Sequence, residues 1–202
     1  MGTEIVAIIR GITKEQLIPA FEAAVKGGIK KLEVTMNTEG VLELIKMSRD
    51  YFKDQVSIGA GTVCHLEDMH RAIDGGAQFI VSPLVDLEMI KYCHDHGVPV
   101  YPGAMTPTEI YRAWDAGATM VKVFPVNAMG GPDYIKSVKG PLDQIKLLAC
   151  NGVNLQNCQE YIQKGADAIA LGSQLFRREW LETGEYDKIY QSAKQFSSLC
   201  SQ

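Results

Sequence analysis

The chain has 202 residues, of which 46% are hydrophobic and 22% are charged, and its formal net charge is −4. These proportions are typical of a globular protein with a sizeable core, so they exclude a disordered or collagen-like chain. Since one domain usually takes roughly 100 to 200 residues, we expect a single domain over residues 1–202.

The basic residues are scattered along the chain, so the sequence predicts no nucleic-acid partner. No apolar run approaches the roughly 20 residues that cross a bilayer, and Arg10 interrupts the first hydrophobic stretch before it could serve as a signal core. We therefore expect a cytoplasmic protein without a membrane partner. The five cysteines form no Cys-x-x-Cys pair, which favours reduced thiols over a disulfide framework.

Short β-rich runs alternate along the chain with amphipathic helical stretches, at a period of roughly 20 to 25 residues. Helix starts are indicated by Thr13 with Gln16 and by Thr106 with Glu109, both of which have capping-box spacing. Glycines such as Gly28 mark the returns from helix to strand. The eight predicted strands, in chain order, are Ile5–Ile9, Lys31–Thr35, Val56–Gly59, Phe79–Ser82, Pro99–Pro102, Met120–Phe124, Lys146–Ala149 and Ala168–Leu171.

Eight strand–helix units predict an α/β protein with a compact (β/α)8 TIM barrel. An open, doubly wound sheet is the alternative, although no GxGxxG motif follows the first strand. Active sites of barrels lie at the carboxyl ends of the strands, so candidate residues are sought there.

Lys122 is the most informative residue because of its place in a strand. Since strand side chains alternate between faces, Val121 and Val123 pointing outward would place Lys122 inside the barrel. Burial disfavours a charged ammonium group, and the neutral amine is the form that attacks a ketone. The alternative is a lysine that is neutralised by a buried carboxylate or reaches the rim.

Glu33 has the same inward parity in an earlier strand, between Leu32 and Val34. Schiff-base chemistry needs an amine that forms the imine and a carboxyl group that moves protons. Lys122 and Glu33 together therefore indicate such chemistry, with a structural salt bridge as the alternative.

Another run, Cys93–His96, is rich in metal-ligand types. Adjacent positions on a helix point about 100° apart and do not converge on one ion. We interpret the run as a solvated helix end, with metal binding as the alternative.

Six motifs, in this order and spacing, make the chain resemble the KDPG/KHG aldolases. These class I aldolases split 2-keto-3-deoxy-6-phosphogluconate (KDPG) or 4-hydroxy-2-oxoglutarate (KHG) into pyruvate and an aldehyde. The resemblance runs from about residue 5 to residue 190, and the motifs are Glu33–Thr35, Gly59–Val63, Ile80–Pro83, Pro102–Glu109, Lys122–Pro125 and Leu171–Ser173.

The resemblance implies a role for each matching position. It implies that Lys122 is the Schiff-base lysine and Glu33 the general acid/base, and that Thr62 holds the pyruvyl carboxylate. It further implies that Pro83 and Pro102–Gly103 line the pocket. Without the resemblance, Thr62 could equally be a helix cap and Pro83 the end of a strand.

The resemblance also places Gly152 and Ser173 at a phosphate site, where backbone N–H groups and a hydroxyl receive an anion. It implies a homotrimer that uses no metal and no organic cofactor, because the protonated imine does the work of a metal ion.

The chain departs from the family pattern at two places. Asn37 stands where many members have an arginine, and Arg10, at the end of the first strand, can supply that charge from a neighbouring loop or remain a rim residue. Cys150-Asn151-Gly152 stands where the family usually has Thr-Gly-Gly. Asparagine tolerates positive φ, but its side chain takes up space near a phosphate.

The sequence therefore predicts a pyruvate-forming aldolase that acts on KDPG, KHG or both, with glyceraldehyde 3-phosphate or glyoxylate as the second product. Alternatives are an aldolase for the phosphogalactonate epimer, a phosphate-binding isomerase or epimerase, and a non-catalytic sugar-acid binding protein.

Overall fold

Parallel strands surrounded by helices form the centre of the computed structural model, which describes residues 3–201. The strands are β1 (Glu4–Ile9), β2 (Lys31–Thr35), β3 (Ser57–Gly61), β4 (Ile80–Val81), β5 (Val100–Tyr101), β6 (Gly103–Ala104), β7 (Val121–Val123), β8 (Leu147–Cys150) and β9 (Ala168–Leu171). The helices are α1 (Lys14–Lys26), α2 (Val41–Phe52), α3 (Leu66–Asp74), α4 (Leu87–Asp95), α5 (Pro107–Asp115), α6 (Pro132–Lys139), α7 (Cys158–Gln163), α8 (Arg178–Thr183) and α9 (Tyr186–Cys200), with a 3₁₀ turn at Val126–Met129.

The ring of strands closes through Pro102. The strand order is β5-β4-β3-β2-β1-β9-β8-β7-β6, so β5 and β6 are the two ends of the ladder. Only Pro102 separates them along the chain, and proline has no N–H group to contribute to a ladder. Its carbonyl still accepts a hydrogen bond from the Lys122 N–H group at 2.8 Å. β5 and β6 are therefore one interrupted strand, which confirms the predicted barrel and excludes the open sheet.

Several strand boundaries differ from the prediction. The third strand runs two residues further, to Gly61, and the seventh ladder segment is confined to Val121–Val123. The fifth predicted strand, Pro99–Pro102, pairs as β5 only at its two central residues, because neither proline can donate to the ladder.

The predicted helix starts are confirmed by their hydrogen bonds. The Gln16 side-chain oxygen accepts from the Thr13 N–H group at 3.2 Å, and the Glu109 carboxylate accepts from the Thr106 N–H group at 2.8 Å. At the end of α1, Gly28 has a φ of +104°, which turns the chain into β2.

Apolar side chains pack on both faces of the strands, outside the barrel and inside it. Residues of outward parity, such as Leu32 and Val121, are fully buried between the strands and the helices. A smaller cluster fills the barrel and consists of Val6, Phe79, Val81, Tyr101, Met120, Leu148, Cys150, Ala168 and Ala170.

The Cys93–His96 run ends α4. Cys93 is buried with its Sγ atom 3.5 Å from the Met69 sulfur, whereas His94 and His96 are exposed. Among residues 3–201, no three His, Cys, Asp or Glu side chains are grouped so as to hold a metal ion. All five cysteines are free thiols, and no helix in this part of the chain has the length and apolarity to cross a membrane.

Candidate active site

Lys122 and Glu33 both lie inside the barrel. Lys122, on β7, has 6% of its surface exposed, and Glu33, on β2, has 1%. The alternation of β-strand side chains fixes this placement, because the residues beside each of them are outward and packed under helices. Lys122 does not reach the rim.

These two side chains do not form an ion pair. The salt bridges among residues 3–201 do not include Glu33 with Lys122. The Oε2 atom of Glu33 is buried without a hydrogen-bond partner in the described chain, and Lys122 Nζ lies 4.8 Å from the centroid of the Phe124 ring. Glu33 and Lys122 therefore do not form the structural salt bridge that was the alternative, and the Glu33 Oε2 atom can still accept a hydrogen bond.

The environment of Glu33 changes its acidity. Burial raises the pKa of this carboxyl group from 4.5 to about 7, although the positive charges of Lys122 and Arg10 act to lower it. A carboxyl group with a pKa near neutrality exchanges protons readily in both directions, as a general acid/base requires.

Gly61, at the end of β3, provides the space that Glu33 occupies. A Cβ atom at position 61 would lie 1.5 Å from Glu33 Oε1. No side chain fits there, so the glycine is needed for the carboxyl group to take its place in the barrel.

Arg10 and Thr62 meet at the carboxyl ends of β1 and β3. The Arg10 Nη2 atom donates to Thr62 Oγ1 at 3.3 Å. Thr62 has a φ of +56°, an uncommon value for a β-branched residue, and α3 begins after His65, so Thr62 is not a helix cap. Asn37 is exposed on the neighbouring loop.

A cavity of about 460 Å³ opens beside these residues. It includes both positions of the predicted phosphate site, Gly152 and Ser173, together with Arg10. Asn151 adopts a φ of +77° and also lines it. The full lining is Ile8, Arg10, Cys150, Asn151, Gly152, Val153, Ala170, Gly172, Ser173, Gln174 and Phe176.

Pro83 lies on the other side of the barrel mouth. It lines a second cavity, of about 620 Å³, with Gly103 and Phe124. The backbones of Pro83 and Gly103 are so close that a Cβ atom on Gly103 would lie 2.5 Å from the Pro83 carbonyl carbon. The predicted site residues thus come from several strands but share one end of the barrel.

Comparisons with known proteins identify the family of this chain. Residues 2–192 match the family model described as KDPG and KHG aldolase. The chain belongs to this aldolase family.

Two relatives and one solved structure show the range of the similarity. The chain is 33% identical to the 2-dehydro-3-deoxy-6-phosphogalactonate aldolase of Escherichia coli K12, over 95% of this chain and 96% of that one. It is 32% identical to the 2-dehydro-3-deoxy-phosphogluconate aldolase of Treponema pallidum, over 92% and 90%. It is also similar to the KDPG aldolase of Legionella pneumophila, which was solved with pyruvate captured as a covalent carbinolamine, at 27% identity and a TM-score of 0.90 over 97% and 95%.

Cys150 lies in the cavity of this aldolase, a position that was not predicted from the sequence. Cys150 is 6% exposed, lines the 460 Å³ cavity and shares inward parity with Leu148 on β8. Burial raises the pKa of its thiol, and the charges of Lys122 and Glu33 act on that pKa in opposite directions. The alternation on β8 was the signal that could have placed it there.

A second lysine inside the barrel was also missed. Lys31 has the same parity as Glu33 but lies at the opposite end of β2, where it forms a 3.0 Å salt bridge with Glu4 and a hydrogen bond with the Tyr101 hydroxyl. Burial acts to lower the pKa of Lys31, but these two partners outweigh it and raise the pKa. Lys31 therefore has a carboxylate partner, whereas Lys122 forms no salt bridge among residues 3–201.

We predict that Glu33→Gln makes the folded aldolase more stable at high pH. Because the pKa of Glu33 is raised on folding, the folded state binds its proton more tightly, so wild-type stability falls as pH rises from 4.5 through 7. The glutamine of the variant does not ionise, so the variant does not lose stability in this way. At 1.36 kcal/mol per pKa unit, its free energy of unfolding should exceed the wild-type value by about 3 kcal/mol at pH 8.

Urea unfolding at pH 5, 6.5 and 8 measures this difference, which should shrink towards pH 4.5. The matched control is Glu179→Gln on the exposed surface of α8. A variant that is less stable than wild type at pH 8 would mean that the Glu33 carboxylate is held by a stabilising partner.

Proposed function

We propose that this aldolase cleaves KDPG to pyruvate and glyceraldehyde 3-phosphate through a Schiff base on Lys122. The observation that carries the proposal is the presence of a buried amine and a buried carboxyl group that are not paired with each other. A structural pair would be in contact, whereas a reacting pair leaves room for the substrate between its members.

The steps follow from the two groups. Lys122 Nζ adds to the C2 ketone to give a carbinolamine, and Glu33 donates the proton with which the hydroxyl leaves as water. Glu33, now a carboxylate, removes the proton from the C4 hydroxyl. The C3–C4 bond breaks, its electron pair enters the iminium to form an enamine, and the aldehyde leaves. Glu33 returns that proton to C3 of the enamine. Water then adds to the resulting iminium, gives a proton to Glu33 and releases pyruvate and the free amine.

Two parts of the site are suited to hold the charged ends of the substrate. The Arg10 guanidinium and the Thr62 hydroxyl, which are hydrogen-bonded at 3.3 Å, suit the C1 carboxylate. The 460 Å³ cavity suits the phosphate, with Ser173 and the backbone at Gly152 as donors.

The choice of sugar acid is part of the proposal. Relatives of similar identity are named for the phosphogluconate and for its phosphogalactonate epimer. The phosphogalactonate and KHG, which would give glyoxylate, are therefore the alternative substrates. Asn151 crowds the anion site, so we expect a phosphorylated substrate to be preferred by a modest margin.

We further infer that the chain assembles as a homotrimer. In support, large apolar side chains are exposed near the 620 Å³ cavity, with 47% of Leu84, 47% of Leu87 and 36% of Met105 accessible. Large exposed apolar side chains that lie around one cavity are typical of a protein interface.

We predict that incubation with pyruvate and borohydride adds one pyruvyl-derived mass to each chain, at Lys122. Borohydride reduces the iminium to a stable amine, and peptide mass mapping locates it. Lys122→Met should abolish the label, whereas Lys31→Met, at the other end of the barrel, should retain it wherever the variant folds. Labelling at another lysine, or activity that is lost with EDTA in an enzyme that takes no label, would contradict the mechanism and favour an isomerase-like or metal-dependent reaction.

We predict that Ser173→Ala raises KM for KDPG about tenfold or more and leaves KM for KHG nearly unchanged. A hydrogen bond to a charged group contributes ~1.5 to 3 kcal/mol, and only the phosphorylated substrate makes this one. Steady-state assays of pyruvate release with both substrates measure the effect, with Ser137→Ala on the outer helix α6 as the control. Equal changes for both substrates would make Ser173 structural.

A further inference from the structure

Two buried threonine hydroxyls lie beneath the loop that carries Arg10. Thr35 is 0% exposed and Thr38 is 4% exposed, and their Oγ1 atoms are 3.1 Å apart. The N–H group of Gly11 donates to Thr38 Oγ1 at 3.1 Å. A chain of hydrogen bonds thus connects the end of β2, the loop after β2 and the loop after β1.

This connection begins where the strand pairing ends. The parallel register of β1 and β2 stops at Ile9 opposite Val34, so Arg10 is the first residue beyond it. Gly11 follows with a φ of +65°, and its hydrogen bond to Thr38 fixes the chain immediately after Arg10. Arg10 is therefore held between the last ladder pair and the Thr38 hydroxyl.

Arg10 has a long, exposed side chain, so its guanidinium group can take many positions unless the backbone that carries it is fixed. Fixing the backbone at its root removes part of the conformational freedom that the guanidinium would otherwise lose on binding a substrate. The guanidinium reaches Thr62 and lines the 460 Å³ cavity. No basic side chain stands at position 37, so this one arginine supplies the positive charge of that corner.

We propose that Thr38 is a positioning residue that holds Arg10 in place for the substrate carboxylate, with Thr35 as its buried support. This inference rests on the proposed aldolase function. It assigns Thr38 no contact with the substrate, and its effect passes through the Gly11 N–H group to the backbone of Arg10.

The test compares Thr38→Val, which keeps the shape but removes the hydroxyl, with Thr38→Ser, which restores the hydroxyl. In KDPG cleavage, we expect Thr38→Val to raise KM about tenfold with kcat within about threefold of wild type, and Thr38→Ser to return KM close to the wild-type value. The control is Ser48→Ala, because the Ser48 hydroxyl is equally buried but bonds only the Leu44 carbonyl of its own helix.

A double-mutant cycle with Arg10→Gln separates positioning from general destabilisation. If Thr38 acts through Arg10, Thr38→Val adds little to the KM of Arg10→Gln. The two single variants should also move the alkaline limb of the kcat/KM profile to higher pH, because the Arg10 charge lowers the pKa of Glu33, which must be protonated when the reaction begins. If Thr38→Val does not fold, Thr35→Val, which removes only the supporting hydroxyl, takes its place in the cycle.

Additive KM increases in the double variant, an unchanged KM in Thr38→Val, or an equal KM increase in Ser48→Ala would overturn the inference. A wild-type enzyme that cleaves neither KDPG, its epimer nor KHG would instead overturn the proposed function itself. The two failures are therefore distinguishable.

Discussion

Glu33 is a carboxyl group inside an apolar barrel, and the cost of ionising it there governs the chemistry of the site. The positive charges of Lys122 and Arg10 offset only part of that cost, so burial still leaves its pKa near neutrality. A direct ion pair with Lys122 would have kept the carboxylate charged and bound to a hydrogen-bond donor. Separation from Lys122 instead leaves the proposed acid/base and the proposed Schiff-base amine unpaired with each other, and Gly61 gives the carboxyl group its room.

The barrel explains how residues far apart in sequence meet. Glu33 and Lys122 point inward from the middle of β2 and β7, and the other candidate site residues lie at or just beyond the carboxyl ends of strands. Closure through Pro102 brings those ends to one mouth. Lys31 and Lys122 both point inward, but they differ in their partners. Lys31 is at the other end of the barrel, where it pairs with Glu4 and bonds the Tyr101 hydroxyl. Lys122 forms no salt bridge with a carboxylate among residues 3–201.

The fold and the inward placement of Lys122 and Glu33 could be predicted from sequence because both depend on short periods: alternation within strands, and capping and glycine signals at helix ends. The break at Pro102 and the Thr35–Thr38–Gly11 connection could not, because they depend on which loops meet in space. Alternation alone also did not distinguish Lys31 from Lys122. The partners of Lys31 are Glu4 and Tyr101, and these residues come from other strands, so the pattern within β2 does not indicate them. The place of Cys150 in the cavity could have been found from the parity of β8.

Exchange of the pyruvate methyl protons in D₂O, followed by proton NMR, tests the roles of Lys122 and Glu33 directly, because it needs only the imine, the enamine and the proton relay. We expect rapid exchange in the wild type, none in Lys122→Met, and a rate lower by roughly 10² to 10⁴ in Glu33→Gln while that variant stays folded. Exchange that persists in Lys122→Met, or that is unchanged in Glu33→Gln, would contradict the assignment of a Schiff-base lysine served by a buried carboxyl group.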